Sequence, residues 1–149
     1  MTKVLVWLTE GTWQACVEAV SAVEAAEVTL LHVIDADVEE VMHGVYGGLL
    51  SRRGHDPARD LHALTTPAER ALLEDAATLL GRPCATAVRR GRIEHEVVAA
   101  CIDADAELLI CARDGKHDHP GPRSLGHHTR FVVDHAPCSV LLVWAIDAG

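Results

Sequence analysis

Aromatic side chains are scarce in this chain of 149 residues: they make up 3% of it, although hydrophobic residues as a whole make up 49%. The core must therefore consist mainly of Ala, Val, Leu and Ile, which is typical of an α/β domain with a buried parallel sheet. A chain of this length suits one domain with a sizeable core. We therefore predict a single domain over residues 1–147.

Basic residues are also few, because 13 Lys and Arg stand against 22 Asp and Glu and give a net charge of −9. A nucleic-acid-binding protein needs a broad basic face, so this balance argues against that class. The sequence has no apolar run long enough to cross a membrane, and "VLVWL" at 4–8 is too short for the core of a signal peptide. We expect a cytoplasmic protein with neither a nucleic-acid nor a membrane partner.

The five cysteines are scattered, and no two of them form a CxxC motif. They are Cys16, Cys84, Cys101, Cys111 and Cys138. An odd number without regular spacing indicates reduced thiols, which agrees with a cytoplasmic location. Their simplest interpretation is that of small buried hydrophobic residues.

Short apolar runs alternate with helical patterns along the chain. Strands are predicted at 3–8, 27–34, 84–89, 107–112 and 139–145, and helices at 12–26, 66–80, 92–105 and from Gly126 onward. The segment 35–65 is poorly periodic, and we interpret it as a long connection that contains some helix and could be mobile. Alternating strands and helices imply right-handed crossovers and a parallel sheet that is covered on both sides.

The helix after this connection has the clearest end signals in the sequence. Thr66 is the predicted N-cap, Pro67 takes the first helical position, and Glu69 completes a capping box. Gly81 is placed to end the helix.

A basic, glycine-rich stretch over 113–130 leads into the last predicted helix. It carries four basic and two acidic residues in an otherwise acidic chain. In a parallel sheet, ligands bind beyond the carboxyl ends of the strands, and a helix N-terminus there favours phosphate. The stretch is therefore a candidate anion site, and the alternative is a solvated loop whose charge has no particular role.

Three segments carry a resemblance to a known family. They are "KVLVWLTEGT", "VTLLHVID", and "AELLICARDG" followed by "LGHHTRFVVDHAPCSVLLV". With these segments the chain resembles the universal stress protein (UspA-like) family over nearly its whole length. The resemblance implies an α/β fold of the adenine nucleotide α-hydrolase-like type, with three layers and a doubly wound five-stranded parallel sheet in the order 3-2-1-4-5. It also implies a homodimer, commonly formed through the last strand, here 139–145.

The ATP-binding members of the family are similar in having Asp after the first strand, Gly-x-x-Gly after the fourth, and Gly-Ser/Thr at the next helix start. In this chain Thr9 stands at the position of the family's Asp, Ala112 at that of the first glycine, and His127 at that of the hydroxyl residue. The second glycine of the motif, Gly115, and the glycine at the helix start, Gly126, are kept. The candidate nucleotide-site residues are Trp7, Thr9, Val33, Cys111, Ala112, Arg113, Asp114, Gly115, Gly126, His127, His128 and Thr129.

The matches and departures leave two functions open. Val33, Gly115, Gly126 and Thr129 support nucleotide binding, whereas Trp7, Thr9, Ala112 and His127 weaken it. The first function is a non-catalytic stress-response or regulatory domain whose altered adenine-nucleotide site binds ATP weakly or not at all. The second is a genuine sensor of ATP or AMP, with Mg²⁺, that uses the 112–129 loop and helix start. A slow ATPase would need a positioned base that the sequence does not identify, so we assign no catalytic residue.

The histidines near this helix start allow other interpretations. His117-x-His119 together with His127 and His128 could hold a metal ion such as zinc, although exposed loop histidines without a ligand are far more common. "GPRSLGHH" has the glycine spacing of a P-loop but lacks its Lys and its hydroxyl, so we reject that motif. His128 also shares a helical face with Val132 and could simply pack against the sheet.

Overall fold

The fold is a parallel sheet between two layers of helices, seen in a computed structural model that describes residues 2–36, 66–113 and 125–145. Its elements are β1 (Thr2–Leu8), α1 (Trp13–Ala19), β2 (Ala25–Asp35), α2 (Pro67–Leu80), β3 (Ala85–Gly91), α3 (Ile93–Asp103), β4 (Leu108–Ala112), α4 (His127–His135) and β5 (Ser139–Val143). Apart from its first two residues, the predicted connection over 35–65 lies outside the described residues.

The five strands lie in the order β3-β2-β1-β4-β5, and each neighbouring pair is parallel. This confirms the predicted fold class and strand order. The order reverses between β1 and β4, so the carboxyl ends of these two strands flank the crevice in which such sheets take ligands.

Strand β1 builds both halves of the core because successive side chains point to opposite faces of the sheet. Val6 and Leu8 belong to an apolar cluster that includes residues of α1 and α2. Leu5 and Trp7 belong to a second cluster that includes residues of α3 and α4. These four side chains are at most 6% exposed, so β1 is buried on both faces.

The predicted helix at 12–26 is too long at its end. In the structure α1 ends at Ala19, a 3₁₀ turn covers Val20–Ala22, and β2 has begun by Ala25. The last residues of the prediction, Glu24, Ala25 and Ala26, favour a helix locally. Pairing of Ala25 with Thr2 of β1 overrides that preference, because the strand must start there to cover its neighbour.

The end signals of α2 are confirmed. The Thr66 hydroxyl accepts a hydrogen bond from the Glu69 N–H at 3.2 Å, and the Glu69 carboxylate accepts one from the Thr66 N–H at 3.1 Å. Gly81 ends the helix with a φ of +67°, a conformation that other residues adopt at a cost. Cys16, Cys101 and Cys111 are buried, which agrees with their interpretation as small hydrophobic residues, whereas Cys84 and Cys138 are half-buried.

Among the described residues, no helix combines the length and the apolar character that crossing a membrane requires.

Candidate functional site

A pocket of about 280 Å³ opens where the carboxyl ends of β1 and β4 meet the N-terminus of α4. Its lining consists of Trp7, Thr9, Thr12, Ile93, Ala112, Gly126, His127, His128 and Thr129. The pocket therefore lies at the reversal of strand order, where a doubly wound sheet takes its ligand.

Seven of the twelve candidate residues named from the sequence lie around this pocket. They are Trp7, Thr9, Ala112, Gly126, His127, His128 and Thr129. Thr12 and Ile93 also line it and were missed by sequence reasoning, because the family pattern has no position for either of them. Whether these residues bind a nucleotide stays a prediction.

The other candidates lie elsewhere. Val33 and Cys111 are buried in the core cluster of α3 and α4, at 7% and 1% exposure, and do not line the pocket. The Arg113 guanidinium lies 4.1 Å from the centre of the Trp144 ring, and its backbone N–H donates to the Val143 carbonyl at 2.7 Å. Arg113 is thus directed toward the end of β5. Asp114 and Gly115 lie outside the described residues.

Trp7 belongs to the core and to the pocket at once. Its side chain is 6% exposed and packs with Leu5 and Val97 in the apolar cluster, while it also forms part of the pocket lining. The two interpretations of this residue, a core aromatic and a group near the ligand, are therefore compatible. An indole at this position takes up volume that a smaller side chain would leave to a ligand.

Thr9 is engaged in the turn that leads into α1. Its hydroxyl is hydrogen-bonded to the Thr12 hydroxyl, and its carbonyl accepts from the Trp13 N–H at 3.0 Å. The side chain is neutral and already has a partner. Thr9 is therefore a weaker hydrogen-bond acceptor for a ligand than a carboxylate at the same position would be.

The N-terminus of α4 lies against the pocket and is suited to an anion. Its N-cap is Gly126, which has no side chain with which to cap the helix, and its first turn contains no acidic residue. The first backbone N–H groups of a helix and the positive end of its dipole both attract negative charge. His127 and His128 are exposed at this point, whereas Thr129 is buried.

Sequence reasoning missed a buried carboxylate beside these histidines. Glu94 lies in the first turn of α3 and is 3% exposed. Its Oε2 is 2.7 Å from Nδ1 of His128, and its Oε1 is 3.4 Å from Nη2 of Arg92. A usable signal existed, because Glu94 shares a helical face with Val97 and Cys101 at spacings typical of buried positions.

The carboxyl of Glu94 is held in its charged form. The hydrogen bond from its own backbone N–H lowers its pKa most, and His128 and then Arg92 lower it further. Burial raises the pKa, but less than these groups together lower it. The first turn of α3 therefore places a negative charge against α4.

The alternative interpretation of His128, that it packs against the sheet, does not fit the structure. Its side chain is 46% exposed and contacts Glu94, whereas Thr129 and Val132 are the buried residues of α4. The physical reason is that a buried carboxylate needs a hydrogen-bonding partner, and His128 supplies it. Of the predicted metal ligands, His117 and His119 lie outside the described residues, whereas His127 and His128 lie with Glu94 in one cluster.

Comparison with known proteins shows the family. A sequence model of the Universal stress protein family matches residues 1–143, so the chain belongs to the universal stress protein family. A comparison with curated proteins gave no match.

Solved structures of similar fold extend over the whole domain. The hypothetical protein PH0823 has a TM-score of 0.66 and 24% identity, with 99% of each chain covered. The universal stress protein UspA from Lactobacillus plantarum has a TM-score of 0.58 and 24% identity, with 95% of this chain and 97% of that chain covered. A universal stress protein family protein from Arabidopsis thaliana, solved with AMP bound, has a TM-score of 0.60 and 17% identity, with 99% and 94% covered. At these identities the likeness shows the fold.

Proposed function

We propose that this universal stress protein is a non-catalytic regulatory domain whose adenine-nucleotide site is altered, so that ATP is bound weakly or not at all. The location of the pocket supports a nucleotide as the ancestral ligand, because doubly wound sheets bind nucleotides at this edge. The Arabidopsis relative with AMP bound supports the same ligand class. The residues around the pocket support a loss of affinity.

The observation that carries the proposal is that Thr9 has a neutral side chain whose hydroxyl is already hydrogen-bonded within the protein. The family's ATP binders have Asp at this position, whereas here a neutral hydroxyl is bonded to Thr12 within the protein. Loss of a charged hydrogen-bond acceptor costs about 1.5–3 kcal/mol, which is roughly tenfold to a hundredfold in affinity.

The size of the pocket supports the same conclusion. Its volume of about 280 Å³ falls just below the range of about 300–1,000 Å³ that is usual for small-molecule sites. Trp7 and the β-carbon of Ala112 both take up space in its lining. Little enclosed space is therefore left for a whole nucleotide.

The test is a calorimetric titration with Mg-ATP of the wild type and of the variants Thr9→Asp and Thr9→Asn. We expect weak or undetectable binding by the wild type and a gain of at least about tenfold in Thr9→Asp, because the carboxylate restores a charged acceptor. The Thr9→Asn variant serves as the matched control, because Asn has nearly the same shape as Asp but no charge. Equal affinities in all three proteins would contradict the proposal.

The alternative function, a genuine nucleotide sensor, is favoured by one observation. The N-terminus of α4 meets the pocket at Gly126 with no acidic residue in its first turn, which suits a phosphate group. Low-micromolar binding of ATP or AMP by the wild type, weakened by Gly126→Val, would establish this function instead. The non-catalytic character is tested by phosphate release from Mg-ATP, which should not exceed the background.

We further propose that the domain is a cytoplasmic homodimer that pairs through β5. The sequence of this strand, Ser139–Val143, contains neither charge nor proline. Those are the features that normally protect a sheet edge from pairing with another chain. The residues of β5 are exposed or half-buried, whereas the three central residues of β4 are fully buried. A second copy would cover this apolar edge.

A further inference from the structure

We propose that Glu94, His127 and His128 form a binding site for a divalent transition-metal ion of the zinc type at the rim of the pocket. This inference goes beyond the proposed function and does not depend on nucleotide binding. It differs from the metal site considered from the sequence, because a carboxylate of α3 takes part and the histidines of the 114–124 segment are not required.

The geometry brings three donor groups together from two helices. Each of the three residues offers one ligand atom, and these atoms all lie within 4.8 Å of one another. Zinc bonds to nitrogen and oxygen are about 2.0–2.2 Å long, so the ligand atoms of a tetrahedral site lie about 3.3 Å apart. Side-chain rotation can make up the difference, because His127 and His128 are exposed and can rotate.

Glu94 provides the fixed part of the site. Its side chain is only 4% exposed, its charged form is stabilised by its own backbone N–H, and Nη2 of Arg92 lies 3.4 Å from Oε1. The other oxygen, Oε2, is the one directed at His128, at 2.7 Å. In binding, the metal ion would enter between Oε2 and the imidazole nitrogens and replace this contact. The Glu94 carboxylate then presents one negative charge to a doubly charged cation, while the Arg92 guanidinium stays beside its other oxygen, Oε1.

The set of donors selects the class of ion. Two imidazoles and one carboxylate suit zinc and its neighbours among the transition metals, whereas magnesium and calcium prefer oxygen ligands alone. Three protein ligands also leave one coordination position open, as in zinc sites that take water or a substrate. Because His127 and His128 both line the pocket, that open position would be accessible from it.

The experiment is a calorimetric titration with zinc alone, without nucleotide, on the full chain carrying no histidine tag. We expect one zinc ion per chain at micromolar concentration or below. We also expect a loss of affinity of at least about tenfold in each of His127→Ala, His128→Ala and Glu94→Gln, because even residues that only support a metal ligand are worth this much. The matched control is His135→Ala, an exposed histidine of the same helix outside the cluster, which should stay within about twofold of the wild type.

Substitution of zinc by cobalt(II) gives an independent measurement. The expected visible spectrum is that of a four-coordinate ion without a charge-transfer band from thiolate, because no cysteine belongs to the cluster. The proposal is overturned if the wild type binds no zinc at micromolar concentration, or if the three variants bind it as the wild type does. The two histidine variants change exposed side chains, so the test stands even if the buried Glu94→Gln variant fails to fold. Since no nucleotide is present, failure here leaves the ATP titrations unaffected.

Discussion

At the scale of single residues, Glu94 stabilises the fold through its charged form. Its pKa lies below the ordinary value of 4.5, because its own backbone N–H, His128 and Arg92 outweigh the effect of burial. A carboxyl whose pKa is lowered on folding adds stability at any pH above its unfolded value. That contribution is lost as the pH falls through the lower pKa of the folded state.

We predict that the stability difference between the wild type and Glu94→Gln depends on pH in this sense. At pH 7 the wild type should have the larger free energy of unfolding, and the difference should shrink as the pH falls below about 4.5. Urea denaturation at several pH values measures it. The exposed Glu74→Gln on α2 is the control and should change stability little at pH 7. A difference that grows on acidification would contradict the assignment.

Trp7 should couple stability and ligand binding. We expect Trp7→Ala to lower the free energy of unfolding by about 3–5 kcal/mol, because a buried aromatic ring is removed from the core. The same change enlarges the pocket, so the affinity for nucleotide should rise. Circular dichroism during urea denaturation measures the first effect, and titration with Mg-ATP measures the second.

The matched control for Trp7 is Trp13→Ala, which removes an indole that is only partly buried at the edge of the other cluster. It should cost less stability and leave the nucleotide affinity unchanged, since Trp13 does not line the pocket. If both variants lost equal stability, Trp7 would not have the special place in the core that its burial indicates.

At the scale of helices and strands, the N-terminal cap of α2 should contribute measurably to stability. We expect Thr66→Ala to cost about 1 kcal/mol, because it removes the side-chain acceptor for the Glu69 N–H. Thr78→Ala lies in the same helix, is exposed, and should change stability little. Urea denaturation measures both variants, and an equal loss in the two would show that the cap contributes nothing of its own.

The elements could be predicted from the sequence wherever their signals are local. The capping box of α2 joins residues three positions apart, so the sequence identified it correctly. The end of α1 could not be read in this way, because β2 begins where its pairing with β1 requires. The contact between Glu94 and His128 joins residues 34 positions apart on two helices, and no local pattern indicates it.

At the scale of the whole molecule, strand order brought most of the predicted site together. Thr9 follows β1 and Ala112 ends β4, and the two meet because these strands are neighbours at the reversal of the sheet. The family resemblance supplied that order. It could not supply which way each side chain points, so Cys111, one residue before Ala112, lies in the core.

The assembly is the last property that can be tested at this scale. We expect light scattering after size-exclusion chromatography to give twice the chain mass of 16.0 kDa, because pairing would cover the edge of β5. Leu142→Lys places a charge on this half-buried edge and should shift the protein toward the monomer. Ile102→Lys is the control, because Ile102 is also apolar, is 62% exposed and lies on α3 away from the edge.

A wild-type mass of 16.0 kDa at micromolar concentration would contradict pairing through β5. A dimer dissociated by Ile102→Lys and not by Leu142→Lys would instead place the interface on α3.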